Sequence, residues 1–453
     1  MENDPKKLIE TSPMSAMQII AIGICVLLNA LDGFDVLAIS FSAPGIATEW
    51  GVDRAALGVV LSMELIGMAF GSILIGGIAD KYGRRPAILF CQVLMATGML
   101  LAALAHGVYD LSAYRFATGL GIGGMLSSVS AMAAEYANSR NKSLAVSFMA
   151  GGFPVGVIVG GSFASYLLDL YSWRSIFYFG AGMTAAFMVL VWFLLPESIS
   201  YLVRQRPANA LAKINAILKR MKRPTLQELP EDASVPANSR TVSFATLFSS
   251  ELRLVTILLA VAYFCHVMTH YFYFKWVPKI VVDMGYAASE AGSILVWANV
   301  GGLVAAFVMG LLSQRISMRI MTIFVLFGTT ASVMMFGGFV DTYLQLQVVA
   351  IFAGFFTSGA VVGFYALFAT SYPTRVRARG AGFILGLGRG GSVIGPISAG
   401  LLFSLGFNLQ YTAAVMACGS LLGGIALLFL KTGNAVAEKE RNPVRPCLPA
   451  SKA

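Results

Sequence analysis

The chain has 453 residues, 57% of them hydrophobic and only 12% charged, with a mean hydropathy of +0.76. Soluble domains carry about 25% charged residues, so composition excludes a soluble enzyme, and equally a disordered or disulfide-stapled chain. Lys and Arg outnumber Asp and Glu by 32 to 22, a formal charge of +10. In a membrane protein such an excess reflects basic loops retained in the cytoplasm rather than nucleic-acid binding.

Apolar runs bounded by charge or turn residues predict twelve spans: 17–43, 55–79, 87–107, 110–135, 143–168, 173–195, 252–277, 289–312, 319–340, 343–368, 379–405 and 409–431. Each is near the roughly 20 residues that cross a bilayer as a helix. The N-terminal tail, with Lys6 and Lys7, lacks a small-residue cleavage site and predicts no removed signal peptide. Residues 196–250 form the one long polar connection, containing Pro207, Pro224, Pro230, Pro236 and a basic segment from Arg204 to Arg223. That segment reads as a retained inner loop against anionic headgroups. With the N-terminus inside, cytoplasmic loops and tails hold 26 of the 32 Lys and Arg. The opposite side holds Arg54, Arg174, Lys275 and Lys279, and both termini are expected in the cytoplasm. Cys25, Cys91, Cys265 and Cys418 lie in apolar runs and Cys447 in the polar tail, a set without metal spacing that reads as free thiols.

Ionisable groups inside the hydrocarbon zone are costly and are functional candidates. Asp32 and Asp35 in span one share a helix face at i, i+3, with Cβ atoms about 5–6 Å apart. Two carboxylates that close resist ionising together, which suits a proton carrier. The pair is expected to face the seam between two halves of the molecule. Glu64 in span two is a third buried acid, suited either to proton coupling or to pairing with a neighbouring helix. Arg115 in span four and Arg389 in span eleven are the buried cations, one to neutralise the Asp pair and one to grip an anionic substrate. Gly386, Gly388, Gly390 and Gly391 flank Arg389 and would let a ligand approach the backbone. In span seven His266 and His270 stand one turn apart among Tyr263, Tyr271, Tyr273 and Trp276. They read as substrate-orienting, proton-coupling or packed residues; a metal site lacks acidic or Cys partners. Lys275, near the predicted outer end of that span, is expected to snorkel outward or attract anions.

Repetition divides the chain in two. Spans four and five run from Gly119 through Glu135-Tyr136 and a basic loop with Arg140 into a Gly-rich helix; spans ten and eleven repeat this through Tyr372-Pro373 and Arg375 to Arg379. Repeated halves with a substrate site between them are a common transporter design. Gly119-x-Gly121-x-x-Gly124 and Gly386-x-Gly388-x-x-Gly391 match the dinucleotide fingerprint literally. They fall within helical runs without the required preceding strand, where small residues serve close helix packing.

The loop Gly76-Gly77-Ile78-Ala79-Asp80-Lys81-Tyr82-Gly83-Arg84-Arg85-Pro86 resembles the signature loop of the major facilitator superfamily, and Pro196-Glu197-Ser198 also follows span six as in many members. The resemblance implies that Asp80 meets a helix N-terminus of the other half and locks the outward-open state. The counterpart, Gly310 to Ile316, has lost its acid and its later glycine. Within the superfamily the chain resembles the aromatic acid:proton symporters, through Asp32-Gly33-x-Asp35, Arg115-Phe116-x-Thr118-Gly119-Leu120-Gly121, Tyr372-Pro373-Thr374-Arg375 and Gly388-Arg389-x-Gly391. That implies a proton-coupled Asp32/Asp35 pair, with Arg115, Glu135 and Arg389 also required for transport. The chain departs at Thr370, where the family commonly has an acid, and His270 and Lys275 are unusual.

The expectation is an all-α membrane protein of twelve transmembrane helices in two pseudo-symmetric six-helix bundles, the major facilitator fold. Its parts are a cytoplasmic tail (1–16), an N-terminal bundle (17–195), a cytoplasmic loop (196–250), a C-terminal bundle (251–431) and a second cytoplasmic tail (432–453). It is expected to be a monomeric carrier in the cell inner membrane that imports a small organic anion, foremost an aromatic carboxylate, with protons by alternating access. No cofactor, metal or nucleic acid is expected. Proton coupling is assigned to Asp32, Asp35 and Glu64, and substrate contact to Arg389, Arg115, His270, His266 and Tyr271. Gating is assigned to Asp80, Gly76, Gly83, Arg84, Arg85, Glu135 and Arg140. Proton-antiport efflux and import of a non-aromatic organic or sugar acid remain alternatives, although Gly152-Phe153-Pro154 departs from the Gly-Pro pattern of drug exporters. A sensor would need a longer output domain than 432–453, and an enzyme a nucleophile–base or metal set that three histidines do not supply.

Overall fold

The computed structural model describes residues 5–229, 244–338 and 342–430. The tail 432–453 with Cys447, residues 230–243 of the central loop, and the side chains of Thr374, Arg375 and Ala378 lie outside that description. The first half contains α1 (Pro5–Thr11), α2 (Ala16–Trp50), α3 (Arg54–Tyr82), α4 (Arg84–Ala103), α5 (Val108–Tyr136), α6 (Lys142–Leu170) and α7 (Arg174–Leu194). Two short helices, α8 (Ile199–Gln205) and α9 (Ala210–Arg220), follow in the connection. The second half contains α10 (Arg253–Asp283), α11 (Ala288–Leu312), α12 (Met318–Gly338), α13 (Tyr343–Ser371), α14 (Thr374–Ser404) and α15 (Leu409–Leu428). Eleven of the described helices are long and apolar enough to cross a membrane. The twelfth place belongs to α14, which has 31 residues but whose run is diluted by its glycines and Arg389.

The two halves pack by the same plan. In the first, α2 lies along α6, α3 along α5 and α4 along α7; in the second, α10 lies along α14, α11 along α13 and α12 along α15. The halves meet where α3 packs on α14 and α6 on α11, with α2 against α10. Small residues set these distances, because apolar lipid offers helices no hydrophobic drive to associate and close backbone packing must supply it. A Cβ at Gly67 or Gly119 would overlap the backbone of the facing helix across the α3–α5 contact, and one at Gly156 would overlap Ala30 across α2–α6. The first nucleotide-like pattern is spent on such contacts, with Gly119, Gly121 and Gly124 against Glu64, Cys91 and Ile75, and in the second Gly391 faces the carbonyl of Phe264 on α10.

Side-chain caps define several ends. Ser15 with Gln18, and Thr342 with Gln345, form capping boxes, while Asp53 caps α3 and Asn408 caps α15. Two spans run further than hydropathy predicts. Spans one and seven were expected to stop at 43 and 277, just before Pro44 and Pro278, yet α2 continues to Trp50 and α10 to Asp283. Proline is tolerated inside transmembrane helices where neighbouring groups satisfy the freed backbone. The extension places Lys275 eight residues inside its helix rather than at its mouth.

The basic connection folds under the first half. Ile214 and Leu218 of α9 are wholly buried, and Arg223 Nη2 donates to the Pro13 carbonyl at 2.6 Å. The polar links between halves that the structure shows lie away from this linker, at the distal end of the seam. Arg54 Nη2 stands 3.2 Å from Asp283 Oδ2, and Ser62 Oγ donates to the Val393 carbonyl at 2.8 Å. The molecule is therefore closed at its distal end. Toward the linker end, the seam face of α14 opens: Gly386 has nothing within 4 Å of a built Cβ.

Candidate functional site

Beside the distal part of the seam lies a buried cluster of five ionisable side chains. Close contact between α3 and α5 brings Arg115 Nη2 to 2.5 Å from Glu64 Oε2, both side chains wholly buried. The same nitrogen donates to the main-chain carbonyl of Asp35 at 2.8 Å, and Nη1 lies 2.9 Å from Met99 Sδ. The guanidinium also stands over the Phe177 ring at 5.5 Å. Lys275, from the opposite half, completes the cluster. Its Nζ is 3.5 Å from Glu64 Oε2 and donates to the Val36 carbonyl of α2. The ammonium is wholly buried and does not snorkel.

Asp32 and Asp35 are buried, and none of their four carboxylate oxygens has a hydrogen-bond partner among the described residues; Glu64 Oε1 is likewise unpartnered. Buried charges are ordinarily paired, so five unpartnered carboxylate oxygens in one cluster depart from ordinary packing. Asp35 does not meet the second half. Asp35 points to α7, where a Cβ on Gly180 would lie 3.4 Å from its Oδ1. The acid that meets the other half is Glu64, and Arg115 takes Glu64 as its ion-pair partner.

The second group faces the seam from the C-terminal half. Arg389 of α14 is half-buried and has no ion pair or side-chain hydrogen bond among the described residues. Its guanidinium is within electrostatic reach of Tyr263 and Tyr271 on α10. Tyr365 of α13 joins them, its ring 6.5 Å from that of Tyr263. The two histidines differ. His266 is fully engaged, with Nδ1 3.0 Å from Ser420 Oγ and Nε2 3.1 Å from the Thr357 carbonyl. His270 packs against Phe274 at 4.7 Å and Tyr271 at 5.3 Å, and its Nδ1 is unpartnered. The expected aromatic set is divided: Tyr273 hydrogen-bonds to Ala350, and Trp276 packs on Phe403 at the distal end. The glycines beside Arg389 are divided too. A Cβ on Gly388 would overlap the Tyr263 ring, whereas Gly386 faces open space.

The signature loop holds to its own half. Asp80 Oδ1 pairs with Arg84 at 2.9 Å and lies 3.9 Å from Arg204. Gly83, with φ +111, joins α3 to α4 and offers no side-chain cap. Glu197 supplies one: Oε1 accepts the backbone N–H of Arg84 at 2.9 Å, of Arg85 at 3.2 Å and of Ser198 at 2.7 Å. Burial pushes the Glu197 carboxyl above the usual carboxylate range, against the pull of these donors. A Cβ at Gly83 would lie 2.5 Å from Glu197 Oε2, so the glycine makes room for the cap. Ser198 donates to Glu135, Tyr136 donates to the Glu197 carbonyl, and Arg85 donates to the Trp192 carbonyl. A Cβ at Gly76 would make only ordinary contact with Ser127 Oγ, and Arg140 is exposed. Sequence had offered Glu197 only as part of a family tripeptide; the uncapped glycine at the start of α4 was the available signal for its role.

Two pseudo-symmetric bundles around a polar seam define a membrane transporter, and the chain belongs to the Major Facilitator Superfamily, whose model matches residues 25–287 and 259–451. Its relatives include aromatic acid transporters. It is 32% identical to a gallate transporter of Pseudomonas putida over 94% of each chain. It is 31% identical to the 4-hydroxybenzoate transporter PcaK of Pseudomonas aeruginosa, over 94% of this chain and 95% of that one. The xylose transporter XylE from E. coli, solved in a partially occluded inward open conformation, shares the fold with a TM-score of 0.70 at 15% identity, covering 92% of this chain and 98% of that one.

Proposed function

We propose that this transporter imports a small aromatic carboxylate together with protons, by alternating access. The observation that carries this is Arg389: a guanidinium without a protein anion, half-buried on the seam face of α14 and beside tyrosines. A guanidinium grips a carboxylate through two parallel hydrogen bonds, and Tyr263, Tyr271 and Tyr365 give a ring apolar walls with polar tips. His270, with its free Nδ1, serves to orient a ring substituent. The names of the relatives support the same substrate class. Asp32, Asp35 and Glu64 supply the proton sites.

We place both termini and the 196–250 connection in the cytoplasm of an inner-membrane protein, as the charge bias requires. On that assignment the distal end is periplasmic and closed, and the site communicates with the cytoplasm. The signature loop with Asp80, Gly76, Gly83, Arg84 and Arg85, together with Glu135 and Arg140, forms the inner gate. Labelled 4-hydroxybenzoate and gallate uptake into cells tests the substrate assignment. Losing a charge-assisted hydrogen bond of about 1.5–3 kcal/mol raises KM in Arg389→Gln by about 10- to 100-fold; an unchanged KM for both acids refutes it. Wild-type uptake rates in both Asp32→Asn and Asp35→Asn refute the proton assignment.

A further inference from the structure

The buried cluster contains three acids, Asp32, Asp35 and Glu64, and two cations, Arg115 and Lys275, and of these five side chains Lys275 alone comes from the second half. Its contacts are Glu64 Oε2 and the Val36 carbonyl, both on the first half. They lie on the distal side of the seam, with Ser62–Val393 and Arg54–Asp283. When the distal end opens, α10 parts from α2 and α3, and Lys275 loses these partners. The remaining four charged groups stay together, because α2, α3 and α5 belong to one bundle.

We propose that Lys275 is the group that expels the transported proton. With the distal end open, the acids retain only Arg115, and a proton from the distal side takes the place of the second cation. As that end closes, the Lys275 ammonium docks on Glu64 Oε2, carrying its own proton throughout. The transported proton then leaves the cluster for water on the linker side. Asp35 and then Asp32, one turn further along α2 toward the linker, are the next acceptors, and their four oxygens are vacant. The O–H bond that breaks on Glu64 is replaced by one on Asp35, then on Asp32 and finally in water; no other bond is made or broken. Of the other elements around the cluster, α4 presents Met99, α7 Phe177 and Gly180, and α6 and α11 meet through Gly161 and Val296. On α14, Val393 and Pro396 are followed one turn toward the linker by the Arg389 cation, and α10 itself carries Tyr271 and His270; none of these has an ion pair with Glu64 among the described residues, where Arg115 and Lys275 are its paired cations. Lys275 is thus a positioning residue, acting on the proton through Glu64.

The inference rests on the symport reading, and the test separates the two. Wild type, Lys275→Gln and Lys275→Arg are reconstituted in liposomes, and two rates are read with labelled 4-hydroxybenzoate: exchange without a pH gradient, and accumulation driven by an alkaline interior. Wild type accumulates; a wild type indifferent to the gradient overturns the symport reading and this one with it. Lys275→Gln loses accumulation at least tenfold while exchange falls much less, and Lys275→Arg recovers accumulation because it keeps the charge. Gradient-driven accumulation by Lys275→Gln at the wild-type level overturns the role of Lys275 and leaves symport standing. Equal loss of both rates in Lys275→Gln that Lys275→Arg fails to repair overturns it as well.

Discussion

Breaking the cluster one charge at a time gives unequal costs, and the geometry says which is largest. At an effective dielectric constant of about 20, unit charges 2.5 Å apart attract by roughly 7 kcal/mol and at 3.5 Å by roughly 5 kcal/mol. Desolvation of both ions offsets most of this gross attraction, so net effects appear when one partner is removed and the other is stranded. Glu64→Gln strands two buried cations that share one carboxylate oxygen and costs about 3–5 kcal/mol. Arg115→Met leaves Glu64 still paired with Lys275 and costs less, about 2–3 kcal/mol. Combining the two leaves one stranded cation instead of two, so the double variant is more stable than the sum of the singles by at least about 1 kcal/mol. Denaturant unfolding of the purified protein in mixed micelles measures all four corners of the cycle. Additivity within about 0.5 kcal/mol would show that Arg115 and Glu64 do not act on each other as their separation requires.

Two further perturbations address the gate loop and the helix contacts. The Glu197 carboxyl is held above its ordinary range by burial, so the folded state binds its proton more readily than the unfolded chain. The stability it contributes is then full at low pH and declines as pH rises above the ordinary carboxylate value. Subtracting Glu197→Gln melting temperatures from wild-type values between pH 4.5 and 7 isolates this slope, and a difference that grows with pH contradicts it. Among helix glycines, Gly156→Ala forces a methyl into the Ala30 backbone and costs about 1–3 kcal/mol. Gly151→Ala, with nothing within 4 Å, gains about 0.5–1 kcal/mol. Thermal unfolding ranks the pair, and the opposite order would refute the packing of α2 on α6.

The spans were legible because a bilayer requires long apolar helices, and the twofold plan was legible in the repeated Gly-rich segments. The ends of α2 and α10 were not. A soluble helix stops at an interior proline, whereas here the hydropathy boundary and the proline coincide and the helix continues beyond both. That shift moved Lys275 from a supposed mouth into the seam. The partners of the buried charges were illegible for another reason: ion pairing follows helix rotation, which is fixed by contacts such as Gly119 against the Glu64 carbonyl. An i, i+3 spacing showed that Asp32 and Asp35 share a face but not that Asp35 turns toward α7. Arg115 and Arg389 look alike in sequence; packing encloses one with an acid and leaves the other without a protein anion.

That difference also orders the transport cycle. The acids belong to the first half and the free guanidinium with its tyrosines to the second, so under the proposed function proton and substrate occupy different rigid bodies. Neither ligand can report the other's presence through direct contact within one bundle. Coupling must cross the seam, and it must do so through a group whose partners change when the halves rock. A hydrophobic contact would hold the halves together without sensing charge. Arg54 with Asp283 changes partners too, but both are substantially exposed, at 45% and 33% of their side-chain surface, and water screens what they exchange. Lys275 crosses the same seam wholly buried, where an unmatched charge is most costly. A carrier built this way resists closing its distal end while the acids still hold the proton that Lys275 must displace, and the direction of transport follows from the side to which that proton can leave.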